Sequence, residues 1–213
     1  MAKFGLAGFL GLAASVGGVA LPAPAKDVAP AATNVATRVA VFAGGCFWCT
    51  EAAFEQLDGV TDVVSGYAGD KKDNASYRVV GSGATKHAEA IRITYDPKKI
   101  TYGQLLQVLF TISEPTVKDK QGPDEGPQYR MAVFFADDEE KQVTEAYIAQ
   151  LTAAKVYNEP IATTVEPIGA GFFVAEDYHQ DYVKHNPSQP YVRAWSLPKV
   201  EKVRAAFPDK VKK

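Results

Sequence analysis

Between residues 38 and 136 the apolar positions change period at regular intervals, and this order limits the fold more than any other feature. Residues 38–43 form a short apolar run that stops at Gly44-Gly45. Residues 47–57 follow with apolar positions at 48, 52, 53, 54 and 57, the spacing of a helix. Residues 60–67 are β-rich. Residues 89–95 alternate Ile91, Ile93 and Tyr95 against Arg92 and Thr94, as a half-buried strand does. Thr101 can cap a helix carrying Leu105, Leu106, Leu109 and Ile112, and residues 129–136 read as another strand. The order is β-α-β-β-α-β, a split β-α-β unit, and the expected class is α+β with a ferredoxin-like two-layer core. Beyond it the pattern predicts a long amphipathic helix over 137–155 and an added strand over 163–168. Short helices at 176–186 and 198–206 belong to an irregular tail that wraps the core.

The chain has 213 residues, 46% of them apolar, so one fairly large domain can build its core without disulfide staples. The formal charge of −2 and the lack of any Lys/Arg block argue against nucleic acid as a partner. The first 25 residues stand apart. Lys3 precedes an apolar run to about Leu21, and Ala23-Pro24-Ala25 offers an A-x-A exit. This predicts a signal peptide over 1–25, cleaved near Ala25, and an exported, periplasmic protein; an uncleaved anchor is the competing reading. Residues 26–37, rich in Ala, Pro and Thr, are expected to be a mobile linker ahead of a catalytic domain over 38–213.

Both cysteines lie in Gly44-Gly45-Cys46-Phe47-Trp48-Cys49. A bridge across three residues closes almost no loop, so the pair is a poor staple and a better redox couple. Strand, Gly-Gly, cysteine and helix in succession put Cys46 at a helix N-terminus, where the dipole is expected to lower the thiol pKa. Cys49 lies one turn on, at about 5–6 Å between Cα atoms, within disulfide reach. Zinc is disfavoured, because His87, His179 and His185 show no finger-like spacing. Phe47 and Trp48 either pack in the core or wall a pocket for something small and apolar. Glu89 shares the parity of Ile91, Ile93 and Tyr95, so it points a carboxyl at the apolar face. Burial would raise its pKa and suit it to donate a proton near neutrality. The competing reading is a frayed strand end that reaches water.

Together "GGCFWC", "SGYAG", "KHAEAIRITYDP", "QGPDEGPQYR" and "AEDYHQDYVKHNP" resemble the type A peptide methionine sulfoxide reductases, over about residues 38–207. The resemblance implies a ferredoxin-like α+β core and thiol-dependent reduction of methionine-S-sulfoxide, free or protein-bound. It implies Cys46 as nucleophile, Cys49 as resolving cysteine and Glu89 as proton donor to the sulfoxide oxygen. Phe47 and Trp48 would hold the substrate methyl group, Tyr77 and Tyr129 would hydrogen-bond the oxygen, and Asp124 would order the site. No bound cofactor or metal is implied; electrons would come from a thioredoxin-like protein or another dithiol. Monomer is the default expectation. The chain departs from the family at Cys49, where many relatives have Gly and resolve with a C-terminal cysteine that is absent here. It departs also at Lys86, Pro123, Pro127 and Ser113-Glu114-Pro115. Two other readings compete: a general thiol-disulfide oxidoreductase that needs no Glu89, and an exported protein that only binds methyl groups.

Overall fold

The computed structural model describes residues 20–30 and 36–213. The expected leader up to position 19 and linker residues 31–35 lie outside them. The strands are β1 (Arg38–Gly44), β2 (Val60–Ala68), β3 (Ala88–Tyr95), β4 (Lys120–Gln121), β5 (Asp124–Glu125), β6 (Met131–Phe135), β7 (Thr164–Pro167) and β8 (Phe172–Val174). The helices are α1 (Phe47–Phe54), α2 (Tyr77–Val80), α3 (Tyr102–Ile112), α4 (Asp138–Ala153), α5 (Tyr182–His185) and α6 (Leu197–Ala206).

Six strands form one sheet in the order β7-β6-β1-β3-β2-β8. Its middle four, β6-β1-β3-β2, are antiparallel throughout and carry the expected split β-α-β connectivity. One face holds the main core. Phe42, Tyr67, Ile91 and Ile93 from the strands meet Phe54 of α1, Leu105 and Leu109 of α3, and Tyr147 of α4. The other face is lined by small residues, Ala43, Ala68, Ala88, Ala90 and Ala132, against Phe134 and Phe172. Because alternate residues of a strand point to opposite faces, β3 is buried on both sides at its N-terminal end.

Local chemistry sets the helix starts. Thr101 and Gln104 form a reciprocal capping box at α3. Asp137 accepts from Glu140 N at 2.9 Å, and Asp138, Glu139 and Glu140 put negative charge on the first turn of α4. The expected helix over 47–57 is shorter, ending at Phe54. The expected strand over 129–136 begins at Met131, because Pro127–Tyr129 makes a 3-10 turn. The expected helix over 176–186 divides at Asp181, which is left-handed at φ 53°. Among the strands and α-helices of the described residues, β8, α2 and the β4–β5 hairpin were not anticipated. Each has four residues or fewer, too few to show a period.

The linker expectation needs correction over its first residues. Residues 26–30 are held to the domain: Asp27 accepts from the Thr101 hydroxyl and from Gly103 N, the latter at 2.8 Å, and Ala29 N donates to Glu139 at 2.7 Å. Residues before them follow the same course, with Pro22 O accepting from the Tyr147 hydroxyl at 2.9 Å. An Ala/Pro-rich composition suggests mobility, but one aspartate that satisfies a helix N-terminus is enough to seat the segment.

Candidate active site

β1 runs into Gly44-Gly45, and the chain turns sharply into α1. Gly45 has φ +87°, and a Cβ there would lie 2.5 Å from Cβ of Gln121. Torsion and space both exclude a side chain at this position. Cys46 is the N-cap of α1; its carbonyl accepts from Cys49 N at 3.2 Å and Thr50 N at 3.3 Å. The Phe47 N–H, one of the unpaired donors of the first turn, is taken by Glu89 Oε2 at 3.1 Å. Glu89 lies opposite Tyr67 in the β2–β3 register and is 2% exposed. The parity argument is borne out in its geometry: the carboxyl is buried and not frayed into water.

Glu89 opens on a cavity of about 200 Å³ lined by Cys46, Phe47, Trp48, Tyr77, Asp124, Tyr129 and Tyr191. The cavity therefore gathers every site residue expected from the sequence except Cys49. They come from α1, α2, β3, the β4–β5 hairpin, the 3-10 turn and the tail. Burial raises the Glu89 carboxyl to about 8, and the charges of Asp124 and Cys49 add to the effect. Burial also raises Asp124 and the hydroxyls of Tyr77 and Tyr129, so both phenols stay protonated hydrogen-bond donors.

The aromatic wall is fixed from the tail. Trp48 stacks on Tyr182 with ring centroids 3.7 Å apart and planes 7° from parallel. Its Nε1–H donates to His179 Nδ1 at 3.0 Å. An indole N–H only donates, so His179 Nδ1 must be the unprotonated nitrogen. Phe47 both lines the cavity and packs into the main core, with its ring 4.9 Å from His179. Tyr191, His179 and Tyr182 were not singled out from the sequence for these roles. Each is one more aromatic in a tail rich in them, and no spacing marks it.

Cys49 faces away from this cavity. It borders a second one, of about 230 Å³, with Cys46, Pro123, Trp195, Lys199 and Lys202. The Tyr191 hydroxyl donates to Asp124 Oδ2 at 2.5 Å, and both residues border the two cavities. Cys49 Sγ lies 3.1 Å from Ser196 Oγ and 3.8 Å from the Tyr191 hydroxyl.

The expectation of a lowered Cys46 pKa is overturned for the resting pair. Burial pushes the Cys46 thiol well above its ordinary value, and the neighbouring Cys49 and Glu89 push it further. Cys49 instead falls to about 6, through the hydrogen bond from Cys46 first, then Lys199 and Ser196. Cys46 stands at the helix terminus as expected, but the Phe47 N–H is engaged by Glu89, and burial is the largest influence on the thiol. Both cysteines are free thiols in this structure. Among the described residues, no three His, Cys, Asp or Glu side chains form a group that could hold a metal ion.

Residues 38–211 match the family described as peptide methionine sulfoxide reductase. The chain belongs to the peptide methionine sulfoxide reductases. A Synechocystis relative named peptide methionine sulfoxide reductase MsrA 2 is 45% identical over 95% of this chain and 99% of its own length. A Mesorhizobium japonicum relative of the same name is 50% identical over 81% of this chain and 88% of its own. Among solved structures, reduced Mxr1 from Saccharomyces cerevisiae has a TM-score of 0.67 at 32% identity, over 75% of this chain and 91% of that one. Methionine sulfoxide reductase A of Corynebacterium diphtheriae has a TM-score of 0.64 at 30% identity, over 81% and 86%. The enzyme is a peptide-methionine (S)-S-oxide reductase that reduces methionine sulfoxide with thiols. Membership excludes the binding-only reading and displaces the general disulfide oxidoreductase.

Of the positions expected to depart from the family, Glu114 and Pro123 border the second cavity. Lys86 lines neither cavity; its carbonyl accepts from Arg130 at 3.0 Å. Pro127 opens the 3-10 turn that carries Tyr129, and Pro123 borders the Cys49 cavity. Glu114 closes the loop at 114–122, its Oε2 accepting from Gly122 N at 3.1 Å.

Proposed function

We propose that Cys46 attacks the sulfur of methionine-S-sulfoxide while Glu89 protonates the departing oxygen. The observation that carries this reading is the shared cavity: a sulfur at the mouth of α1, a buried carboxyl with its proton retained to about pH 8, and two aromatic rings in one wall. The substrate methyl group lies against Phe47 and Trp48. Tyr77 and Tyr129 hydrogen-bond the oxygen, and Asp124, held by Tyr191, orders the polar side. Cys46 sheds its proton to the charged Cys49 sulfur as it bonds to the substrate. The protonated oxygen then passes from the substrate sulfur to Cys46 as the bond between the two sulfurs breaks; methionine leaves, Cys46 is a sulfenic acid, and Glu89 is left ionised. The Cys49 thiol then condenses with the sulfenic acid, forming the Cys46–Cys49 disulfide and water. An external dithiol, a thioredoxin-like protein, reduces the bridge by exchange. Free and protein-bound sulfoxides are both substrates, and no prosthetic group takes part.

The leader over 1–25 directs export, with cleavage near Ala25, and the enzyme repairs oxidised proteins in the periplasm. Support comes from the Lys3 start, the apolar run and the Ala-Pro-Ala exit. Its electron donor is then a thioredoxin-like protein kept reduced from across the membrane.

The test of the chemistry uses the purified chain with dithiothreitol and separated S and R epimers of a blocked methionine sulfoxide. Turnover of S alone, abolished in Cys46→Ser, is expected. A Cys46→Ser variant that still consumes sulfoxide overturns the mechanism. Export is tested by the N-terminal sequence of the protein recovered from the periplasm; an intact leader in the cytoplasm overturns it.

A further inference from the structure

The two cavities meet at Cys46, while Cys49 borders only the second. Thiol exchange at a disulfide needs the attacking sulfur to approach opposite the sulfur that leaves. The two sulfurs of this pair are differently equipped to leave. Cys49 has Ser196 Oγ at 3.1 Å and the charge of Lys199 in its own cavity. Among the groups that act on Cys46 there is no cation, and the Tyr191 hydroxyl is the one that favours its charge. A developing thiolate is therefore better stabilised at Cys49, beside Lys199 and Ser196, than at Cys46.

We infer that the reducing thiol enters the aromatic cavity once methionine has left, attacks Cys46, and expels Cys49 as the thiolate. This deepens the reading above and rests on it. Cys46 borders that cavity and Cys49 does not, so a thiol seated there meets Cys46 alone. The step balances. A dithiol carrying one thiolate bonds through it to Cys46, and the Cys46–Cys49 bond breaks with its electron pair going to Cys49. The second thiol of the reductant then attacks its own partner sulfur, and its proton passes to the departing Cys46. The products are an oxidised dithiol, a Cys46 thiol and a Cys49 thiolate, which is the resting protonation of the pair. Sulfoxide and reductant thus take turns in one cavity, and the second cavity serves the anion of Cys49.

The experiment uses the full chain. Reduced enzyme is first given S-epimer sulfoxide without reductant; one methionine per chain and loss of both free thiols are expected, and their absence refutes the reductase mechanism itself. The oxidised enzyme is then mixed with a thioredoxin whose second cysteine is serine, quenched with iodoacetamide and mapped by mass spectrometry. A thioredoxin bridge on Cys46 with alkylated Cys49 is expected; a bridge on Cys49 with alkylated Cys46 overturns the inference. Where that adduct is too short-lived to map, product protection decides. N-acetylmethionine amide at about ten times its Kd leaves about a tenth of the cavity free, so reduction of the bridge by dithiothreitol is expected to slow about tenfold. An unchanged rate overturns the shared cavity while leaving the first half-reaction standing.

Discussion

Glu51 and Glu89 are both 2% exposed, and both are raised by burial to about 8. Glu51 is a residue of α1 and Glu89 meets the first N–H of α1, yet their surroundings differ. Glu89 borders the cavity that holds Cys46, Phe47 and Trp48, and its contact is the first N–H of the helix. Glu51 lines neither cavity; the Asp181 N–H reaches it, and the nearby carboxylates of Glu55 and Asp181 oppose its ionisation. Lys184 then ties Glu55 and Asp181 together at 2.5 Å each. One acid borders a cavity, and the other meets the tail at Asp181, next to the Tyr182 that stacks on Trp48. A shifted pKa by itself marks burial, and only the adjoining cavity turns it into chemistry.

Replacing each acid by its amide is the sharpest way to break that comparison. Glu89→Gln is expected to lower kcat/KM for the S epimer by about 10²–10⁴-fold, the usual worth of a positioned proton donor. Glu51→Gln is expected to stay within about threefold of the parent. Equal losses in the two variants would show that burial, and not position, governs activity.

The pH profile gives the next largest effect. A proton donor with a pKa of about 8 is present below that pH and absent above it. The wild-type rate at low substrate is expected to fall about tenfold per pH unit beyond about 8, and Glu51→Gln to follow it. Glu89→Gln is expected to lack that limb. Steady-state rates between pH 6 and 10 read all three.

Stability supplies the smallest and converse effect. A carboxyl raised from its ordinary value of 4.5 to about 8 on folding binds more protons in the folded state between those values. Its contribution is complete below 4.5 and is lost as pH rises to about 8. The slope is at most about 1.4 kcal/mol per pH unit, or roughly 3–6 °C in Tm for a domain of this size. Glu51→Gln is expected to remove one such slope between pH 5 and 8 and to be the more stable protein at pH 9. Thermal unfolding across that range measures it, and an unchanged slope would mean that Glu51 is not held neutral in the fold.

Much of the architecture was legible in the chain because its long elements carry their own periods. β3 alternates, α3 opens on a capping box, and Gly44-Gly45 separates a strand from a helix. Glu89 was legible for the same reason, since strand parity places a side chain on a face without knowledge of its neighbours. Glu51 was not, because a polar residue among the apolar positions of a short helix reads as solvent-facing until something covers it.

By itself the sequence determined the order of elements, the cysteine pair at the mouth of α1, the inward carboxyl and the family to which they belong. These rest on local geometry, in which the position of a residue within its own element decides where it points. Only the tertiary structure decided which way the thiol proton sits, that Cys49 turns from the aromatic cavity, that His179, Tyr182 and Tyr191 complete the site, and that residues 26–30 are held to α3 and α4. Those properties depend on burial and on charges brought from distant parts of the chain, and no local pattern encodes either. The resting Cys46 thiol is the clearest case: its place at a helix N-terminus predicts a lowered pKa, and burial raises it instead.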